Sequence, residues 1–212
     1  KFFKNTSLSA AGIMLGSSFI GCTSGKEAGI SSYDIMKDAM KYRKIDSHAH
    51  VNSLEQADYQ IDYADRLGIE FISISRPLGA SSLPISKVKP EEFIKRNDLI
   101  YSAMKKYPKR YIGMFTLNPY FRKESLEEIS RRVDQGFAGF KGHALLKINN
   151  PLYYPIIEKL IDLKMICMMH AECELGVAGY RPKYDIGTRP QATVPEDMIE
   201  IAKRYPEAMF QW

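Results

Sequence analysis

The chain has 212 residues, is 45% hydrophobic and 26% charged, and carries a formal net charge of +5. This is the composition of an ordinary globular protein. A charge this modest, with no basic stripe, argues against a nucleic-acid partner, and three cysteines do not organise a disulfide framework.

Residues 1–22 read as a targeting segment. Lys1-Phe2-Phe3-Lys4 gives a basic start, an apolar stretch rich in small residues follows, and Phe19-Ile20-Gly21-Cys22 closes it. These are the parts of a secretory signal, and the run is too short for a comfortable membrane span. Ile20-Gly21-Cys22 resembles a bacterial lipobox, whose cysteine is lipidated and becomes the first mature residue; Phe19 departs from the usual leucine. Phe2-Phe3-Lys4 resembles the tail of a twin-arginine signal. An ordinary cleaved signal or an uncleaved anchor also fits. The expectation is an exported protein of the periplasm or cell envelope, attached to the membrane through a lipidated Cys22. The opening Lys in place of Met implies that residues precede it.

Residues 23–43 read as a polar linker leading into a short helix over 33–42. From there strand and helix patterns alternate. Residues 44–51 are strand-like, and 54–67 are helical with Gly68 as a C-cap signal. Residues 70–75 are strand-like and Arg76-Pro77 stops them. Residues 90–107 are helical, with Pro90 suited to a first turn. Residues 110–117 are strand-like, 125–135 form a charged amphipathic helix, and 137–144 are strand-like. Residues 151–163 are helical, 165–170 strand-like, 195–205 helical, and 208–212 begin another strand. The apolar run 165–169 places Cys167 in the core as a small residue; a disulfide from it to Cys173 is open but not compelled.

Alternation of this kind argues for parallel β/α units. Both a (β/α)8 barrel and an open doubly wound sheet satisfy it. His48, His50, Arg76, Asn118, His143 and His170 all fall at or just past strand ends, where the loops of a barrel converge on one site. No glycine-rich phosphate fingerprint follows the first strand, as a nucleotide-binding sheet would favour. The prediction is a (β/α)8 TIM barrel with about its first six strands present. The roughly 170 residues after the leader fall short of the ~250 typical of the fold, and the chain stops inside an apolar strand. The expectation is a piece lacking residues at both ends, with 44–212 as the N-terminal part of the barrel.

The most informative run is Lys44-Ile45-Asp46-Ser47-His48-Ala49-His50-Val51. Side chains on a strand repeat every two residues, so His48 and His50 share a side and can share one cation. His170 ends a second apolar strand in the same way.

The start Ile45-Asp46-Ser47-His48-Ala49-His50, the strands Gly139-Phe140-Lys141-Gly142 and Met168-Met169-His170-Ala171, and the stretch Arg204-Tyr205-Pro206-Glu207 resemble the amidohydrolase-related (amidohydrolase 2) family. Their order and spacing carry the resemblance over roughly residues 44–212. Members of that family are metal-dependent TIM barrels, among them hydrolases and decarboxylases of the aminocarboxymuconate-semialdehyde type. The resemblance implies that His48, His50 and His170 hold a divalent metal ion, Zn2+ first. It also implies a later histidine and an acidic residue for proton transfer; both positions lie beyond Trp212, so no catalytic acid or base is assigned. Three protein ligands leave a position for water or substrate, and the metal acidifies bound water and polarises a carbonyl.

The implied activity is hydrolysis of a C–N or C–O bond in a small amide, ester or lactone through a metal-activated water. Decarboxylation by the same ligands is the alternative, and a non-catalytic binding lipoprotein is a third reading. Substrate-binding or supporting positions are Asp46, which can brace a histidine, Arg76, Lys141, His143 and Glu172. Lys141 can also serve as a carbamylated bridge, as in binuclear relatives. Arg76, Arg181 and Arg189 can each bind a carboxylate. Residues 176–190 read as an active-site loop. The partner implied is a small-molecule substrate; the oligomeric state is not encoded in these motifs.

Overall fold

The computed structural model describes residues 34–78, 85–143, 146–171 and 193–212. The expected leader with Cys22, and Glu172, Cys173, Arg181 and Arg189, lie outside the described residues. The chain divides into two units, Lys1–Lys41 and Tyr42–Trp212. In the first, helix α1 (Ile35–Ala39) is capped by Asp34, whose carboxylate accepts from the Met36 and Lys37 amides. No helix among the described residues is long and apolar enough to cross a membrane.

The second unit alternates throughout. Its elements are β1 (Lys44–His50), α2 (Leu54–Leu67), β2 (Ile69–Ser75), α3 (Pro90–Lys106), β3 (Tyr111–Phe115) and α4 (Arg122–Asp134). There follow β4 (Gly139–Gly142), α5 (Tyr154–Asp162), β5 (Ile166–Met169), α6 (Pro195–Arg204) and β6 (Met209–Gln211). The six strands form one sheet in sequence order, and every neighbouring pair is parallel. The sheet curls into a half-barrel with the helices outside it.

Local chemistry sets the element ends. Ser53 caps α2 by accepting from the Gln56 amide at 3.1 Å, and Gly68 ends it at φ 64°, a left-handed conformation glycine adopts without strain. Helix α4 begins at Arg122, earlier than its sequence pattern suggests. Ser125 resembles an N-cap but sits one turn inside the helix, its hydroxyl donating to the Asn118 carbonyl at 2.8 Å. The helix expected over 151–163 opens as a 3-10 turn, Pro151–Tyr153, before α5.

Alternation along the strands builds two layers. Ile72, Ile74, Phe115, Phe140, Cys167 and Met169 are buried against Phe93, Ile100, Ile129 and Ile157 of the helices. Burying a side chain of this size contributes about 2 kcal/mol. Cys167 is a free thiol, which burial pushes up to about 12. The intervening residues Met114, Lys141 and Met168 are also buried but lie outside that cluster, on the inner face. Strand β1 is irregular: Asp46 pairs with Ile72 and Ala49 with Ile74, so three steps on one strand oppose two on the other. A bulge of this kind leaves a residue unpaired and re-aims side chains.

Candidate functional site

All four histidines of the chain stand at strand C-terminal ends: His48 and His50 end β1, while His143 and His170 directly follow β4 and β5. In a barrel this is the end that carries chemistry. The bulge in β1 sets the first pair. Asp46 accepts the His48 amide at 3.0 Å, taking up a backbone donor in the interrupted stretch of the ladder. Ala49 packs against the helix-side core, which turns His48 and His50 inward. Their ring centres are 4.9 Å apart with planes at 90°.

Ser75, at the end of β2, pairs with His50 in register. Its hydroxyl lies 3.1 Å from the His50 Nδ1. The Gln60 amide donates to the His50 carbonyl at 2.8 Å. Both imidazoles are held below the ordinary histidine range. For His48 the leading cause is partial loss of hydration, followed by the positive charge of Lys141 and by His50 and His170; Asp46 opposes. For His50 loss of hydration leads again, the hydrogen bond with Ser75 opposes it, and Lys141 and His170 add to it. A histidine so depressed is neutral at pH 7, the form that binds metal.

His143 and His170 form the second pair, with ring centres 4.9 Å apart and planes within 13°. The His170 amide donates to the Gly142 carbonyl at 3.1 Å, extending the β4–β5 ladder by one residue. Lys141, two residues before His143, is 1% exposed. Burial lowers its ammonium to about 8, with no acidic group among the described residues offsetting that effect.

The structure therefore brings His48, His50, His143, His170 and Lys141 to one inner rim, with Asp46 beneath His48. Arg76 directly follows β2 and is half-buried, close enough to Arg96 of α3 for the two charges to interact. The Arg96 guanidinium is lowered first by burial and then by the charge of Arg76, and it donates to the Pro77 carbonyl at 2.9 Å. Asn118 serves structure: its amide donates to the carbonyls of Ile85 at 2.8 Å and Val88 at 2.6 Å. Ser75 was not singled out by sequence reasoning; its only signal is a hydroxyl ending the strand after a His-x-His strand. A cavity of about 520 Å3 lined by Asp65, Gly68, Glu70 and Arg110 opens at the opposite end of β2, the end that serves stability in barrels.

The fit of this rim to a metal is partial. His48 and His50 suit one cation as a pair. Among the described residues, however, no three His, Cys, Asp or Glu side chains converge as a metal site.

A sequence model of the Amidohydrolase family matches residues 45–210. No curated protein matches the chain. Among solved structures, 2,6-dihydroxybenzoate decarboxylase from Rhizobium is similar at TM-score 0.56 and 16% identity, over 79% of this chain and 65% of that one. A variant 5-carboxyvanillate decarboxylase from Novosphingobium aromaticivorans, solved with manganese and 3-methoxy-4-hydroxy-5-nitrobenzoic acid, matches at TM-score 0.56 and 15% identity, over 81% and 65%. The 4-oxalomesaconate hydratase of Rhodopseudomonas palustris matches at TM-score 0.54 and 16% identity, over 79% and 62%. The chain thus spans somewhat under two thirds of the length of these structures, and at such identities the likeness is one of fold.

Proposed function

This chain belongs to the Amidohydrolase family, and we propose that the protein is a metal-dependent enzyme acting on a small molecule, with His48, His50 and His170 holding one divalent cation, zinc or manganese. The observation that carries the reading is the His48–His50 pair: rings 4.9 Å apart, both kept neutral, on a strand-end rim shared with His170. When bound, the metal would supply Lewis acidity, polarising a substrate carbonyl and making water more acidic.

The chain's own residues prepare for this. Ser75 engages Nδ1 of His50, which fixes the ring and leaves Nε2 for a ligand. Asp46 secures the bulge that aims His48. His143 supports the His170 ring. The reaction proposed first is hydrolysis of a C–N or C–O bond in an amide, ester or lactone. Decarboxylation is the second reading, and the two decarboxylases among the similar folds support it.

The test is to load the purified full-length protein with zinc or manganese. It is then assayed for hydrolysis of an amide, ester and lactone panel and for CO2 release from hydroxybenzoates. Metal-dependent turnover in either arm supports the enzyme reading and chooses between the reactions. A metal-loaded protein inert in both contradicts it. Export through a lipidated Cys22 belongs to the same reading and rests on the sequence pattern of residues 1–22. Mass spectrometry of the mature N-terminus should find a lipid on Cys22; an unmodified thiol there would refute that part.

A further inference from the structure

We propose that Lys141 anchors a carboxylate of the substrate, so that the protein selects small organic anions; this rests on reading the histidine rim as the reaction centre. Three observations lead to it. Lys141 lies on the inner face of β4, since Phe140 beside it packs outward on Phe115 and Tyr153. It is 1% exposed. No acidic side chain among the described residues forms an ion pair or hydrogen bond with it, and burial alone acts on its ammonium.

A buried cation without a counter-ion is costly and persists where something supplies the missing charge. The walls beside it cannot. Its register partner on β5 is Met168, the β3 register continues from Phe115 opposite Phe140 to Thr116, and these residues, 3% and 2% exposed, carry no charge. A divalent cation held by the rim histidines would add more positive charge to the same lumen. An anionic ligand offsets both. Loss of water strengthens a charge-assisted hydrogen bond between an ammonium and a carboxylate. A substrate held at Lys141 by its carboxylate places the rest of the molecule beside the histidines.

The probes are 4-hydroxybenzoate and its neutral counterpart 4-hydroxybenzamide. Their binding to the full-length protein is measured by calorimetry for wild type, Lys141→Met, Lys141→Gln and Lys141→Arg, with metal content and thermal unfolding recorded for each. Wild type should bind the carboxylate about tenfold or more tighter than the amide, the scale of one charged hydrogen bond. Lys141→Met should erase that preference with metal content unchanged, and Lys141→Arg should retain part of it. If the Met variant fails to fold, the Gln variant decides by the same criterion. An absent preference in wild type, or one that survives in both neutral variants, overturns the anchor. Loss of metal in the neutral variants also overturns it, by assigning Lys141 to the cation. Wild type without metal refutes the metal reading separately, and the carboxylate preference then still decides the role of Lys141.

Discussion

The His170 ring lies flat on His143, ring centres 4.9 Å apart and planes 13° apart, at the ends of two neighbouring parallel strands. A flat aromatic neighbour restricts how the His170 imidazole can turn. Removing it takes away that restriction, and loss of such support typically costs a metal site about tenfold or more in affinity. His143→Ala should therefore still bind zinc, about tenfold more weakly, while His143→Phe keeps most of the affinity. A chelator competition titration reads this. Equal affinity for wild type and His143→Ala would remove His143 from any supporting role.

Arg132 and Glu128, 0% and 1% exposed, form an ion pair at 2.6 Å under the helix layer. Arg132 also donates to Gln135, Asp98 and the Ile94 carbonyl, and Asn97 joins Glu128 to the backbone of Thr116. Truncating one partner strands the other charge in the interior. Arg132→Ala should lower stability by about 3–5 kcal/mol in urea denaturation. Arg131→Ala, at a side chain 53% exposed, should stay within about 0.5 kcal/mol.

Gly139 of β4 sits where a Cβ would come within 2.2 Å of the Ile166 carbonyl oxygen and 2.9 Å of the Met114 methyl. Backbone cannot yield as a flexible side chain can. Gly139→Ala should destabilise by about 1–3 kcal/mol through overpacking. Because it displaces the strand carrying Lys141 and His143, it should also weaken ligand binding. Unchanged stability would show that β4 and β5 can separate without loss.

The buried Lys141 ammonium, lowered to about 8 from its ordinary 10.5, makes stability depend on pH. Below about pH 8 the lysine is protonated in both folded and unfolded chains, and its burial cost is present in full. Between that point and 10.5 the folded chain has released the proton while the unfolded chain still binds it, so this contribution to stability rises with pH. Lys141→Met should be more stable than wild type at pH 7 in the metal-free protein, and the difference should shrink by about pH 9.5. A difference independent of pH would mean that the ammonium is hydrated.

Much of the barrel was legible in the sequence because its signals are local. Ser53 and Gly68 bracket α2 at the residues where the pattern places its ends, and apolar runs mark each strand to within a residue or two. What was not legible depends on neighbours distant in sequence. Glu128 and Arg132 lie in what the sequence marks only as a charged amphipathic helix; their burial follows from Asn97, Asp98 and Phe137 closing over them. Simple alternation placed His48 and His50 on one side. They do converge, but through a bulge with Asp46 that no periodicity announces. Arg76 stands just past a strand end as expected; its nearness to Arg96 of α3 is a contact between segments that neither local pattern announces. The His143–His170 stack depends on the β4–β5 register, which the sequence of either strand alone does not specify.

The central claim is that the strand-end histidines hold a divalent cation, and its most direct measurement is the metal content of the full-length protein by elemental analysis. Wild type should carry one divalent ion per chain, lost in His48→Ala/His50→Ala and in His170→Ala while the fold is retained by circular dichroism. Metal content unchanged by removing these histidines, or no metal taken up by wild type from zinc- or manganese-containing buffer, would contradict it.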